Sequence, residues 1–243
     1  MIFSPSTYAS HQRYRISWPF LVLLGLLLAG CQAAPEESRT ANNAQLEPAP
    51  PLPGTPVHVV DPTASYVRVL VWRDGALSAF GHNHVLIAPV SGKVHVGETA
   101  ARSGFDLAIN VKGFVVDPAK ARAEEGEAFA SDVSDEARLG TRENLLGEDV
   151  LNADCYPRIG MRSVSLNGPR RNPEIVARLT LHGVTRDIEF PAEVFVQEDR
   201  VTVLANFTIL QSDFGIEPFS VFGGGLSVRD AVDVRVKLVA RRQ

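Results

Sequence analysis

The segment Ala79 to His95, AFGHNHVLIAPVSGKVH, holds three of the chain's six histidines: His82, His84 and His95. Two of them flank a single asparagine. Residues two apart on an extended strand point the same way, so His82 and His84 would present their imidazoles to one side. Such a pair is a workable start for a zinc or copper site. A complete site needs a third ligand at about 2.0–2.2 Å, and no Asp or Glu accompanies the pair in a recognisable ligand or general-base spacing. A polar contact to a ligand's headgroup or a ring of barrel hydrogen bonds is favoured over a metal site, with a solvated strand face as the plain alternative.

The segment reads as a hairpin. If VLIAP and GKVHV pair across a turn at Pro89 to Gly92, then Val85 and Ile87 lie beside Val96 and Val94 and bury four apolar side chains together. That register sends His84, Leu86, Lys93 and His95, joined by His82, to the opposite face.

Other residue types with chemical potential read as structural. Cys155, in LNADCYPRI, has no nearby histidine or second cysteine and reads as a packing residue. His182 precedes Gly183 at a strand end and reads as a turn residue. Asp213 in QSDFGI suits a turn in which its carboxylate accepts from nearby backbone. Gly223 to Gly225 lack the lysine and following helix of a phosphate loop, and no Gly-x-Ser-x-Gly elbow occurs. The expectation is a protein that is not an enzyme.

The elements that must position these residues come from patterning along the 243-residue chain. His11, Arg13 and Arg15 precede an uncharged apolar run, Trp18 to Leu28, that ends in Leu-Ala-Gly-Cys at Cys31. A basic stretch, a short apolar stretch and small residues before a cut are what secretion machinery reads. The tetrad looks like a bacterial lipobox, which implies a signal peptide over residues 1–30 and lipidation of Cys31. Gln32 follows where an aspartate usually marks inner-membrane retention, so the outer membrane is preferred. Residues 31–56 are rich in Pro, Ala, Glu and Asn and too poor in large apolar groups to offset ordering entropy, which makes them a tether. The formal charge of -4, with lysine and arginine scattered, gives no footprint for nucleic acid.

From Val57 to Gln243 the dominant signal is alternation of apolar and polar residues, the mark of half-buried strands. Phe105, Leu107 and Ile109 share one face of FDLAINV; Ile175, Ala177, Leu179 and Leu181 do so in IVARLTL. The pattern recurs at Ile188 to Val196, Val201 to Ile209 (Phe207 on the apolar face) and Val232 to Leu238. One stretch, Ser134 to Leu151, is built of helix formers, with Ser134 or Asp135 able to cap its start. Many strands with one short helical insertion predict a closed or nearly closed antiparallel barrel. The phenylalanines Phe195, Phe207, Phe214, Phe219 and Phe222 crowd the C-terminal half as core packing or as the wall of an apolar pocket.

Five segments in order, GHNHVLIAPVSGKV, ENLLGEDVLNADCYPRIGMRS, ARLTLHGVTRDIEFP, FTILQSDFGIEP and LSVRDAVDVRVKLVA, resemble the YceI-like family of secreted lipid-binding proteins. The likeness runs from about Val60 to Ala240. It differs from the family's usual pattern in the additional His82 beside His84 and in Cys155 before the Tyr-Pro pair. The resemblance implies an all-β, lipocalin-like, eight-stranded antiparallel β-barrel that holds a polyisoprenoid-like lipid. Patterning agrees, since about eight strands enclose a barrel just wide enough for side chains or one slender ligand.

The combined expectation is a lipid-anchored, periplasm-facing binding protein of the bacterial cell envelope. Its partners would be a long apolar lipid and, through Cys31, the membrane; no cofactor is required. The expected ligand-binding residues are His82, His84, Val85, Ile87, Val94, Val96, Phe105, Leu107, Ile109, Phe207 and Phe214. The alternative is a metal-binding accessory protein or metal-dependent enzyme built on His82 and His84.

Overall fold

A computed structural model describes residues 54–242. The expected signal peptide, Cys31 and most of the expected tether lie outside the described residues. Fourteen strands and two α-helices occur among the described residues. In chain order they begin with β1 (Val57–Val60), β2 (Tyr66–Val71), β3 (Arg73–Asp74), β4 (His84–Pro89), β5 (Ser91–His95), β6 (Gly104–Asn110) and β7 (Val115–Val116). The helices α1 (Ala119–Glu124) and α2 (Asp135–Leu146) follow. The chain then runs through β8 (Arg158–Asn167), β9 (Glu174–Leu181), β10 (Val184–Val196), β11 (Arg200–Leu210), β12 (Ser220–Val221), β13 (Leu226–Val228) and β14 (Ala231–Arg242).

The main sheet closes on itself with antiparallel pairs throughout. Round the ring run β5, β6, β8, β9, β10, β11 and β14, and β14 returns to β1, which pairs β5. Two of the eight wall positions are each made of two pieces in line. β1 and β2 both pair with β14, at His58↔Arg242 and at Val67↔Val236, and they pair respectively with β5 and β4. Between β1 and β2 the chain loops out, and Ser65 splices the ladder: Val239 N–H donates to its hydroxyl at 2.8 Å. The protein is therefore a closed antiparallel barrel, as its alternation predicts, with the eight strands that the YceI-like resemblance implies.

The inward positions are the ones that alternation marks. Leu107, Ile175, Ala177, Leu179 and Leu181 are buried, as are Val232, Val234 and Leu238. The β9–β10 turn has two residues, His182 and Gly183, both with positive φ (51° and 75°), the geometry that matches strand twist. Gly183 is fixed by space as well, because a Cβ there would stand 2.5 Å from the Tyr156 ring.

The structure corrects the hairpin. β4 and β5 do not pair with each other; they run on through Val90 as one wall strand, β4 against β2 and β5 against β1 and β6. Gly92 sits inside this strand, at φ 139°, opposite Leu107 of β6. A Cβ there would come within 2.1 Å of the Asp106 carbonyl oxygen. Glycine inside a strand commonly marks such a close backbone approach, and the Pro-x-x-Gly spacing imitates a turn. Without a hairpin, parity runs unbroken along the strand. His84, Leu86, Val90, Val94 and Val96 take the inner face, and Val85 and Ile87 take the outer one.

Residues between β6 and β8 form the insertion. Helix α2 starts as expected, with the Ser134 hydroxyl accepting from Ala137 N–H at 3.1 Å and Asp135 and Glu136 in the positive first turn. Helix α1 and the short turns around it were not signalled by periodicity. They cover the outer face of β2 and β4, where Ala121 and Phe129 pack on Leu70 and Val85. Glu125, its carboxylate almost wholly buried, ion-pairs with Arg68 of β2 and, at 2.5 Å, with Arg235 of β14. These contacts fasten the insertion to the barrel wall.

Candidate functional site

The barrel interior holds a cavity of about 220 Å³. Its wall is built from alternate positions of successive strands: Val67, Val69 and Val71 of β2, Leu86 of β4, Leu107 and Ile109 of β6, and Ile159 and Met161 of β8. Leu179 and Leu181 of β9, Phe207 and Ile209 of β11, and Val232, Val234 and Val236 of β14 complete the ring. One turn of α2, carrying Thr141, Asn144 and Leu145, lies over one end, together with Gln211, Ile216, Phe219 and Val228 from the loops beside it. The polar side chains of the lining are His84, Thr141, Asn144 and Gln211. A second void of about 60 Å³ continues toward the other end, and Leu107, Met161 and Val236 border both. Phe190, on the wall of the second void, stacks at 4.4 Å on Phe207, on the wall of the larger one. The space is lined almost wholly by apolar side chains, and Thr141, Asn144 and Gln211 gather its polar groups at the α2 end.

His84 joins this cavity to a buried polar network on the far side of β4. Its Nδ1 lies 2.7 Å from Oδ2 of Asp117, whose side chain is fully buried. The other oxygen, Oδ1, accepts from Val85 N–H at 2.8 Å and from Arg122 at 2.6 Å. Arg122 of α1 is itself buried and donates to the Asn83 carbonyl at 2.7 Å and to Ser131 at 3.0 Å. Asn83 accepts from Arg73 N–H at 3.0 Å and donates to the Ala128 carbonyl at 2.9 Å. Burial alone would raise the Asp117 pKa. The bonds from His84, Val85 N–H and Arg122 outweigh it and hold the carboxyl below its usual value, so it stays ionised.

His82 stands beside this network. Its ring meets that of His84 edge to face at 4.6 Å, and its Nε2 is buried with no hydrogen-bond partner. Burial, then the neighbouring His84, lower its pKa and keep it neutral. One donor atom each from His82, His84 and Asp117 fall within 4.8 Å of one another.

The structure brings His84, Leu107, Ile109 and Phe207 to the larger cavity, and Val94, Val96 and Phe105 to the smaller void. His82, Val85, Ile87 and Phe214 are not among the lining residues. Val85, fully buried, packs under the insertion with Leu70 and Phe129, and Ile87 lies against the same cluster; both were assigned inward through the hairpin register. Phe214 is buried in the cluster around the wider end rather than on the cavity surface. The turn that holds it is fastened by Asp230, not Asp213: Ser212 N–H and hydroxyl donate to the Asp230 carboxylate at 2.8 and 2.5 Å. Sequence reasoning missed Asp117 and Arg122. Asp117 is 33 residues from His84, and only its place before Pro118, at the start of a short helix, hints at a special position.

The family model for the YceI-like domain matches residues 58–240. This chain belongs to the YceI-like family. Among solved structures, Burkholderia cenocepacia BcnA overlays with a TM-score of 0.53 at 17% identity, covering 74% of this chain and 99% of that one. The Campylobacter jejuni YceI protein overlays with a TM-score of 0.46 at 15% identity, over 63% of this chain and 81% of that one. A comparison with curated protein sequences gives no significant match. The family's barrel is consistent with binding of apolar ligands, and the cavity of this member has the lining for it.

Proposed function

We propose that this protein is a periplasm-facing lipoprotein that holds a long, polyisoprenoid-like lipid inside its barrel. One observation carries the reading: an interior cavity of about 220 Å³ whose lining is apolar except for His84, Thr141, Asn144 and Gln211. Apolar area withdrawn from water contributes roughly 25 cal/mol per Å², so a long hydrocarbon threaded from the wide end into the narrow one binds through burial alone. The polar groups on the α2 side suit the ligand's polar end, which fixes its direction. Entry passes under α2. No residue of that helix is fully buried, and Leu145 and Leu146 are its main apolar contacts with the barrel. An element with so little buried surface opens at low cost compared with the strands.

The lipobox-like tetrad at Cys31 supports anchoring in the envelope, with residues 31–56 as the tether. The role that fits this apolar lining is carriage or storage of the lipid. The direct test is mass spectrometry of organic extracts from the detergent-purified full chain. A long apolar lipid at near one equivalent is expected. Repeated preparations free of lipid, and failure to take up added isoprenoids, would overturn the reading.

A further inference from the structure

We propose that His82, His84 and Asp117 form a binding site for one first-row divalent metal ion of the zinc class, beside the cavity that His84 lines. His82 and His84 flank Asn83, Asp117 comes from the insertion 33 residues beyond His84, and one donor atom from each lies within 4.8 Å of the others. Two imidazole nitrogens and one carboxylate oxygen, with no thiolate, make a donor set that suits zinc and its neighbours over calcium or magnesium.

The disposition of Asp117 favours such an ion. Its Oδ1 is fully engaged by Val85 N–H and Arg122, so Oδ2 is the oxygen left to coordinate, and it points at His84 Nδ1. His82 Nε2 is buried and has no hydrogen-bond partner, so this ring nitrogen can turn to an ion without breaking a bond of the fold. The surroundings are fixed in advance. Asn83, between the two histidines, is clamped by Arg73 N–H, the Ala128 carbonyl and Arg122, so the His-x-His segment is held against Asp117 without the ion.

The change on binding is local, and the His82 donor, which lies within 4.8 Å of the other two, closes on the ion. The ion takes the place of the hydrogen shared by His84 Nδ1 and Asp117 Oδ2, and His84 carries that hydrogen on Nε2 instead. The two ligand atoms spread from 2.7 Å to roughly 3.4 Å, the edge of a tetrahedron with bonds near 2.1 Å. Water fills the remaining position.

The test uses the full chain, free of any histidine tag and stripped with chelator, titrated with zinc chloride by calorimetry and with cobalt(II) by visible absorption. One zinc ion per chain is expected. His82→Ala and His84→Ala should each weaken binding at least tenfold, and cobalt should give the intense visible bands of a low-coordinate site that either substitution abolishes. His82→Ala removes no hydrogen bond of the fold, and His82→Gln provides a second variant should the alanine chain misfold. Absence of saturable binding, or zinc affinity in folded His82 variants equal to that of the parent, would overturn the assignment. Lipid content is measured in parallel, so an empty barrel is told apart from an absent metal site.

Discussion

The two faces of β4 meet different worlds although they are one residue apart. On the inner face His84 and Leu86 border a cavity that is almost wholly apolar, whereas on the outer face Val85 and Ile87 lie under an insertion pinned by buried ions. The cavity wall leaves packing unfinished, and in the proposed function a guest chain completes it. The outer layer is finished already: Asp117, Arg122 and Asn83 satisfy one another, and Phe129 and Ala121 close over Val85. Binding capacity and stability are thus divided between the two sides of one strand, and substitutions should separate them.

The largest effect belongs to the outer face. Asp117→Ala leaves Arg122 buried without its counter-charge and should cost about 3–5 kcal/mol of stability, read from urea unfolding. Equal stability of variant and parent would show that the network does not secure the insertion. Next comes Val85→Ala, which opens a hole in a fully packed site and should cost about 2 kcal/mol with little change in bound lipid. Leu86→Asn, its neighbour on the cavity wall, should reverse that order, losing most of the lipid for a given loss of stability. If the two variants lose lipid alike, the division between faces fails.

Acid should act on stability in a defined direction. His58, His82 and His95 each have a pKa lowered from 6.5, with burial the first cause in every case. As the pH falls through 6.5 the unfolded chain takes up protons at these positions before the folded chain does. The unfolded state then binds more protons, so stability is full above that range and declines on acidification. Urea midpoints at pH 7.5 and 5.5 check this, and a higher midpoint at pH 5.5 would contradict it. The smallest effect is expected at Leu139 on the exposed side of α2: Leu139→Ser should stay within about 0.5 kcal/mol of the parent.

Most of the barrel was legible because its signal is local. Period-two alternation identified the inward residues of β6, β9, β11 and β14 without knowledge of their neighbours. Ser134 as the cap of α2 was legible for the same reason. The segment around Gly92 was misread because a glycine that admits a neighbouring backbone and a glycine that makes a turn look alike in sequence. The resulting shift of parity moved Val85 and Ile87 to the wrong face. Asp117 was invisible for a different reason: its meeting with His84 depends on the path of the whole insertion, which no periodicity encodes. The likeness to the YceI-like family supplied the fold and left these particulars to the structure.

Native mass spectrometry of the full chain, released gently from detergent, tests the central claim most directly. Leu107 and Asp106 are neighbours on β6, the first on the cavity wall and the second among the outer charges with Arg162. The account predicts a mass excess of one long apolar lipid on the parent and on Asp106→Asn, and its loss on folded Leu107→Asp. A lipid adduct that survives Leu107→Asp undiminished would place the ligand outside the barrel and contradict the account.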